Sequence, residues 1–193
     1  MINITNEDNM ELMARYPDNY FELAIVDPEY GININNSIGR RKGDKHSGHK
    51  KVKWDSKPPA DEYFKELFRV SKNQIIWGGN YFSQLWEKGC KGFIIWDKLF
   101  SEEVSFSMYE LAWSSFNKTP KGFKYAPQQD RNKIHPTQKP IQLYEWLLMN
   151  YAKEGDKILD TNLGSGSIAI ACHNLKFDLT ACELDTDYFN DAM

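Results

Sequence analysis

Lys157-Ile158-Leu159-Asp160-Thr161-Asn162-Leu163-Gly164-Ser165-Gly166-Ser167 decides how this chain folds. The first four residues read as a short strand ending in an acid, the glycines as a turn, and Ile168 to Leu175 as a helix. Strand, glycine turn and helix together cradle nucleotides at the carboxyl edge of a parallel sheet. Gly164 and Gly166 let the backbone approach a ligand closely. A phosphate loop would close on Gly-Lys-Ser/Thr, and no lysine follows here. Gly164-x-Gly166-x-x-Ala169 satisfies the dinucleotide fingerprint, so the turn by itself leaves a dinucleotide site open. Leu179-Thr180-Ala181-Cys182-Glu183 makes a second strand ending in an acid, 23 residues beyond Asp160. A carboxylate at that spacing can accept hydrogen bonds from ribose hydroxyls.

A similar strand lies near the start of the chain. Phe21-Glu22-Leu23-Ala24-Ile25-Val26 is apolar nearly throughout and delivers Asp27-Pro28-Glu29-Tyr30 to its carboxyl end. Asp-Pro also opens ordinary turns. The chemistry of these four residues is nevertheless particular. The Asp27 carboxylate and the Pro28 carbonyl are acceptors for an amino group, and Tyr30 offers a face to a flat ring. A flipped nucleobase with an exocyclic amine needs those parts.

Elsewhere strands and helices alternate. Ile2-Asn3-Ile4 reads as a strand and Asn9 to Tyr16 as a helix; Pro59-Ala60-Asp61 starts a helix running through Val70. Gln74 to Trp77, Phe93 to Trp96 and Tyr109 to Trp113 read as strands, Tyr81 to Lys88 as a helix, and about Thr137 to Ala152 as another. Asn117 to Lys133 is polar and broken by Pro120, Gly122 and Pro127, so it reads as a loop. This alternation predicts an α/β domain with a parallel-rich sheet covered on both faces. The strands 93–96 and 109–113, with no clear helix between them, could pair antiparallel.

Composition agrees with one domain of 193 residues, 41% hydrophobic and 26% charged, with no apolar run near the roughly 20 residues of a membrane span. No signal peptide is expected, because Asn3, Asn6, Glu7 and Asp8 interrupt the first residues; the expected location is cytoplasmic. Cys90, Cys172 and Cys182 lack ligand spacing and read as reduced thiols. His46 and His49 have no cysteine or acid cluster beside them, and no metal is expected. The absence of a Pro-Cys pair removes the nucleophile that cytosine C5 methylation requires.

The net charge of −3 argues by itself against a nucleic-acid partner. Its distribution argues the other way. Arg40, Arg41, Lys42, Lys45, Lys50, Lys51, Lys53 and Lys57 face only Asp44 and Asp55, a local net of +6 that leaves −9 for the rest. This glycine-bearing stretch reads as a mobile loop of functional length directly after the amine-acceptor motif. A basic loop beside a base pocket is the footprint expected for DNA phosphates.

The acceptor motif at 27–30, the segment Ile134-His135-Pro136-Thr137-Gln138-Lys139-Pro140 and the cofactor turn at 160–166 occur in that order. With those three motifs the chain resembles the DNA amino-methyltransferases that use S-adenosylmethionine and modify adenine N6 or cytosine N4, in the permuted arrangement called the β class. The resemblance covers almost the whole chain. It implies a Rossmann-like methyltransferase fold with seven strands, mostly parallel, including one antiparallel hairpin. It also implies double-stranded DNA as partner, a restriction-modification or DNA methylation role, and a possible homodimer. Base chemistry would fall to Asp27, Pro28 and Tyr30, with Asp rather than Ser at position 27 favouring adenine. Arg40, Arg41, Lys42, Lys45, Lys50, Lys51 and Lys53 would meet DNA.

The cofactor would lie against Asp160, Asn162, Gly164 and Gly166, with Glu183 on its ribose and Asp8 (or Glu7) on its adenine. Thr137 and Lys139 would line its methionine end, with Asp27 also near it. Two residues depart from the family pattern. Glu29 replaces a second proline and adds a charge. Asn162 replaces a phenylalanine, whose full burial is worth roughly 1.5–3 kcal/mol, so weaker cofactor binding is expected.

Overall fold

The computed structural model describes residues 1–32, 54–102, 107–129 and 138–193. Eight strands form one sheet: β1 (Ile2–Asn6), β2 (Phe21–Val26), β3 (Ser71–Trp77), β4 (Ile94–Asp97), β5 (Tyr109–Ser114), β6 (Lys121–Lys124), β7 (Lys157–Asp160) and β8 (Asp178–Glu183). Their spatial order is β1-β8-β7-β2-β3-β5-β4-β6. The first five pair in parallel, β5 runs antiparallel to both β3 and β4, and β6 lies parallel to β4. The hairpin expected from strands 93–96 and 109–113 is therefore present.

The alternation of the strands sorts the helices. Leu23, Ile25, Ile75 and Trp77 point to one face, where α4 (Ile141–Tyr151) and α5 (Ser167–Leu175) pack through Leu143, Leu147, Ile168 and Ala171. Ala24, Val26, Ile76 and Leu159 point to the other, against Leu12 and Met13 of α1 (Asn9–Ala14), Tyr63, Phe64 and Leu67 of α2 (Asp61–Val70), and Leu85 of α3 (Ser83–Trp86). The last helix, α6 (Thr186–Ala192), packs against β1 and β8.

Several boundaries differ from the sequence reading: the sheet has eight strands rather than seven, and β3 begins at Ser71 rather than Gln74. β6 forms inside the segment read as a loop; it is an edge strand, paired on one side, and its lysines keep it exposed. The α3 helix begins at Ser83 because Tyr81 closes a turn onto the Gly78 carbonyl (2.8 Å). The α4 helix begins at Ile141, not near 137, since the residue before Pro140 is disfavoured in helical geometry. The basic stretch falls almost entirely within 33–53, outside the described residues, as do Arg40, Arg41, Lys42, Lys45, Lys50, Lys51 and Lys53. At its base, the Asp55 carboxylate accepts from the Gly31 amide at 2.8 Å.

Sheet order places the site. The chain runs outward from β2 to β3 on one side and from β7 to β8 on the other, with the first strand β1 at the edge beyond β8. The β2 and β7 strands are parallel neighbours, with Leu23 opposite Ile158 and Ala24 opposite Leu159. Their carboxyl ends flank the point where the order reverses, where open α/β sheets bind ligands. Among the described residues no helix is long and apolar enough to cross a membrane.

Arg69 fixes the entry to β2. From the end of α2 it donates to the Met13 and Tyr16 carbonyls (3.1 and 2.9 Å) and pairs with Glu66 and Asp18. Arg69→Met should lower the unfolding free energy by about 1–2 kcal/mol, because the carbonyls lose charged donors. Lys65→Met, on the same helix with an exposed Glu62 partner at 3.8 Å, should change it by less than about 0.5 kcal/mol. Urea denaturation of the two variants measures the difference.

Candidate active site

Asp27 follows β2 directly, and both of its carboxylate oxygens are engaged. Oδ1 accepts from the Tyr30 hydroxyl at 2.7 Å, and Oδ2 pairs with the Lys139 ammonium. Lys139 stands just before α4 and is 4% exposed. Its Nζ also lies 3.2 Å from Glu110 Oε2 and 5.3 Å from the centre of the Trp77 ring. Burial would lower the lysine pKa, yet Asp27 and Glu110 beside it hold it above its ordinary value. Glu110 in turn meets Lys98 at 2.5 Å, and despite its burial the two lysines keep it below the ordinary carboxylate range. Four alternating charges thus run from Lys98 through Glu110 and Lys139 to Asp27. Burial raises the Tyr30 phenol well above its usual pKa, with Asp27 and Glu110 adding to the shift, so Tyr30 stays a donor.

The Tyr30 ring stacks on Tyr81, with centroids 5.0 Å apart and planes at 17°, while Tyr81 keeps 47% of its surface exposed. An aromatic face is therefore offered at the rim of the site by Tyr81 as well as Tyr30.

Asp160 ends β7 and is buried. Burial, reinforced by Asp27 and Glu183 nearby, pushes its pKa up to about 8 even though the Asn162 amide donates to it at 3.0 Å. Glu183 ends β8 and takes the amides of Gly164 (2.8 Å) and Asp185 (2.9 Å). Gly164 has φ +55°, and a side chain there would meet no atom closer than 4.0 Å, so its backbone faces open space. Gly166, at φ +72°, packs toward Ala192 of α6; its role is to turn the chain into α5.

Burial also raises the pKa values of Glu29 and Glu183. Glu183, Asp27 and Asp55 add to the shift on Glu29. Carboxyl groups thus converge on the crevice with Lys139 opposing them from within, a set of acceptors suited to a cationic ligand that also carries hydroxyls.

Asp8 caps α1, accepting from the Met10 amide at 2.8 Å, and sits at the carboxyl end of β1, whose last residue Asn6 lies opposite Glu183. Glu7, the near alternative, is held by Arg15 and Thr5. Asn162 Oδ1 accepts from the Thr161 hydroxyl at 2.7 Å and from Tyr63 at 3.3 Å. Thr137 lies outside the described residues.

The structure thus brings together Asp27, Tyr30 and Lys139 in direct contact, with Asp160, Gly164 and Glu183 in a second group alongside. The sequence reading missed Glu110, Lys98, Tyr81 and Tyr63. A lone carboxylate inside the apolar run Tyr109-Glu110-Leu111-Ala112-Trp113 was the available signal for the first. Among the described residues no group of three or more His, Cys, Asp or Glu is placed to hold a metal ion.

Comparison with known proteins agrees with this fold. Putative methylase YubD of Escherichia coli K12 is 24% identical over 182 residues, covering 85% of this chain and 76% of YubD. Type II methyltransferase M.HpaI of Haemophilus parainfluenzae is 37% identical over 60 residues; the match spans 31% of this chain and only 19% of M.HpaI. In fold, the M1.HpyAVI–SAM complex superposes with a TM-score of 0.67 at 19% identity, covering 100% of this chain and 97% of that one. The cytosine-N4-specific PvuII DNA methyltransferase superposes with a TM-score of 0.70 at 12% identity, covering 99% and 84%. Residues 33–193 match the N6/N4 family model described as DNA methylase, and the chain belongs to that family.

Proposed function

We propose that this chain is an S-adenosylmethionine-dependent DNA methyltransferase acting on adenine N6. The observation that carries the reading is Asp27, held at the sheet's reversal point by Tyr30 and Lys139 with the Pro28 carbonyl next to it. An adenine amine is a poor nucleophile because its lone pair is delocalised into the ring. Asp27 and the Pro28 carbonyl accept its two hydrogens, draw the nitrogen toward a tetrahedral shape and free the lone pair. A carboxylate has four lone-pair sites, so Asp27 keeps acceptor capacity beside its two protein partners. The effect is positioning and electrostatics.

The cofactor supplies a methyl group on a sulfonium sulfur. Glu183 suits its ribose hydroxyls and Asp8 its adenine; Asp160, Asn162 and Gly164 form the turn beneath it, and Lys139 and Thr137 belong to its methionine end. As the amine nitrogen gained the methyl group, the methyl–sulfur bond would break with its electron pair left on the sulfur, and the nitrogen would shed a proton toward Asp27. Tyr30 and Tyr81 supply aromatic faces for the extruded base. Arg40, Arg41, Lys42, Lys45, Lys50, Lys51 and Lys53 supply phosphate contacts. The assignment of adenine rests on Asp at position 27.

Asp27→Ala should abolish methyl transfer to unmethylated genomic DNA while the dissociation constant for S-adenosylmethionine moves less than about fivefold, since the lost contact is with the amine. Mass spectrometry of the digested product should find N6-methyladenine. N4-methylcytosine in its place would transfer the same chemistry to cytosine, and near-parental turnover by Asp27→Ala would remove the acceptor assignment.

Asp160 makes binding depend on pH. Its folded pKa of about 8 lies above the ordinary value of 3.8. The neutral carboxyl therefore stabilises the ligand-free fold most at low pH, and that stability is lost as pH rises from about 4 to about 8. A cation beside Asp160 favours the carboxylate, so binding should release a proton and tighten with pH up to about 8. Calorimetry at pH 7 in buffers of different ionisation enthalpy should give different heats, and Asp160→Asn should shrink that difference. Equal heats in the parent protein would assign Asp160 no part in binding.

A further inference from the structure

Lys139 is an ammonium with almost no contact with water, placed between two carboxylates. A lysine so buried needs a counter-charge, and a lysine with a single carboxylate partner neutralises it. Were Asp27 that single partner, the group that must accept hydrogens from the amine would be tied up in a private ion pair. Glu110 offers a second counter-charge: its Oε2 lies 3.2 Å from the same Nζ, as an ion pair without a hydrogen bond, on the strand β5 that runs antiparallel to its neighbours. Lys98, two strand-ends away on the β4–β5 hairpin, holds the other Glu110 oxygen at 2.5 Å and limits how far Glu110 leans toward Lys139. Lys139 is the least exposed side chain of the line, at 3% against 14% for Lys98, 21% for Glu110 and 22% for Asp27, so its charge is the least screened by water.

We infer that Glu110 is a positioning residue for methyl transfer: it shares the charge of Lys139 so that Asp27 remains an effective hydrogen-bond acceptor, and Lys98 sets the size of that share. The inference rests on the reading of Asp27 as the amine acceptor. It differs from a plain structural role in one respect. A salt bridge that only braces the hairpin loses function when either partner is removed. Here the two neutralisations act in opposite directions. Without Glu110, Lys139 belongs to Asp27 alone. Without Lys98, Glu110 takes more of Lys139 and Asp27 less.

The test measures steady-state methyl transfer to unmethylated genomic DNA for the parent, Glu110→Gln, Lys98→Met and Asp27→Ala, with thermal unfolding as a check on folding. Glu110→Gln should lower kcat about tenfold or more, with KM for DNA within about threefold of the parent's. Lys98→Met should give a kcat at or above the parent's. A parental kcat for Glu110→Gln, or a loss in Lys98→Met matching that in Glu110→Gln, overturns the inference. Should Glu110→Gln fail to fold, Lys98→Met decides alone: a kcat at or above the parent's supports the inference, and a tenfold loss overturns it. Asp27→Ala separates the two levels. If it turns over normally, the acceptor reading itself fails. If it is inactive while Glu110→Gln is not, only the role of Glu110 fails.

Discussion

The pairing of β2 with β7 is the constraint on which everything else in this molecule depends. These strands are more than a hundred residues apart in sequence, yet they lie side by side and parallel, with Leu23 opposite Ile158. Parallel neighbours end on the same edge, so Asp27 and Asp160 emerge together. The chain leaves β2 toward β3 and β7 toward β8, and the helices α2 and α5 pack on opposite faces of the sheet, so a crevice lies between the carboxyl ends of β2 and β7. The crevice follows from the order of strands rather than from any feature of the loops.

That geometry has an electrostatic consequence. Bringing three strand-end acids, Asp27, Asp160 and Glu183, to one edge costs free energy, because each is partly or wholly removed from water near the others. The molecule meets the cost in two ways. Asp160 holds its proton, with a pKa pushed up to about 8 by burial and by its neighbours. Asp27 stays paired with Lys139. The two solutions suit two tasks: a proton can be given up when a cation arrives, whereas a permanent ion pair fixes a carboxylate in position. Desolvation separates them, since Asp160 lies deeper and its side chain meets no cation directly among the contacts that hold it.

Much of this was legible in the residues. Short apolar runs that end in Asp or Glu gave β2, β7 and β8, because a strand buried on both faces needs an uninterrupted apolar sequence and a polar residue where it leaves the core. The antiparallel hairpin was one reading of strands 93–96 and 109–113, between which the sequence shows no clear helical pattern. What escaped was tertiary. Lys121-Gly122-Phe123-Lys124 carries no strand pattern, since an edge strand has one neighbour and one largely wet side. The partners of Asp27 could not be ranked from sequence either. Lys139 is 112 residues away, and Glu110 reads as one more polar position on a strand until the sheet order puts it beside that lysine.

The residue at 162 carries the same lesson into the cofactor turn. Read alone, asparagine in place of phenylalanine removes an apolar surface and weakens binding. In the fold, its Oδ1 accepts hydrogen bonds from Thr161 and from Tyr63, a residue 99 positions earlier on α2. Tyr63 is 4% exposed, and its hydroxyl also meets Thr161 at 2.7 Å. A buried hydroxyl has to be partnered, and one left without a bond costs about 1–3 kcal/mol. A phenylalanine at 162 would leave Tyr63 with Thr161 alone and place a ring where a compact polar network now sits. Tyr63 would keep its shorter bond to Thr161, so the loss is that of the hydrogen bonds to Asn162, about 0.5–1.5 kcal/mol each, set against the roughly 1.5–3 kcal/mol that burying the ring could return. Asparagine at 162 and tyrosine at 63 therefore have to be judged as a pair. The floor of this crevice is built by hydrogen bonds between α2 and the turn after β7, where an apolar contact would otherwise be expected.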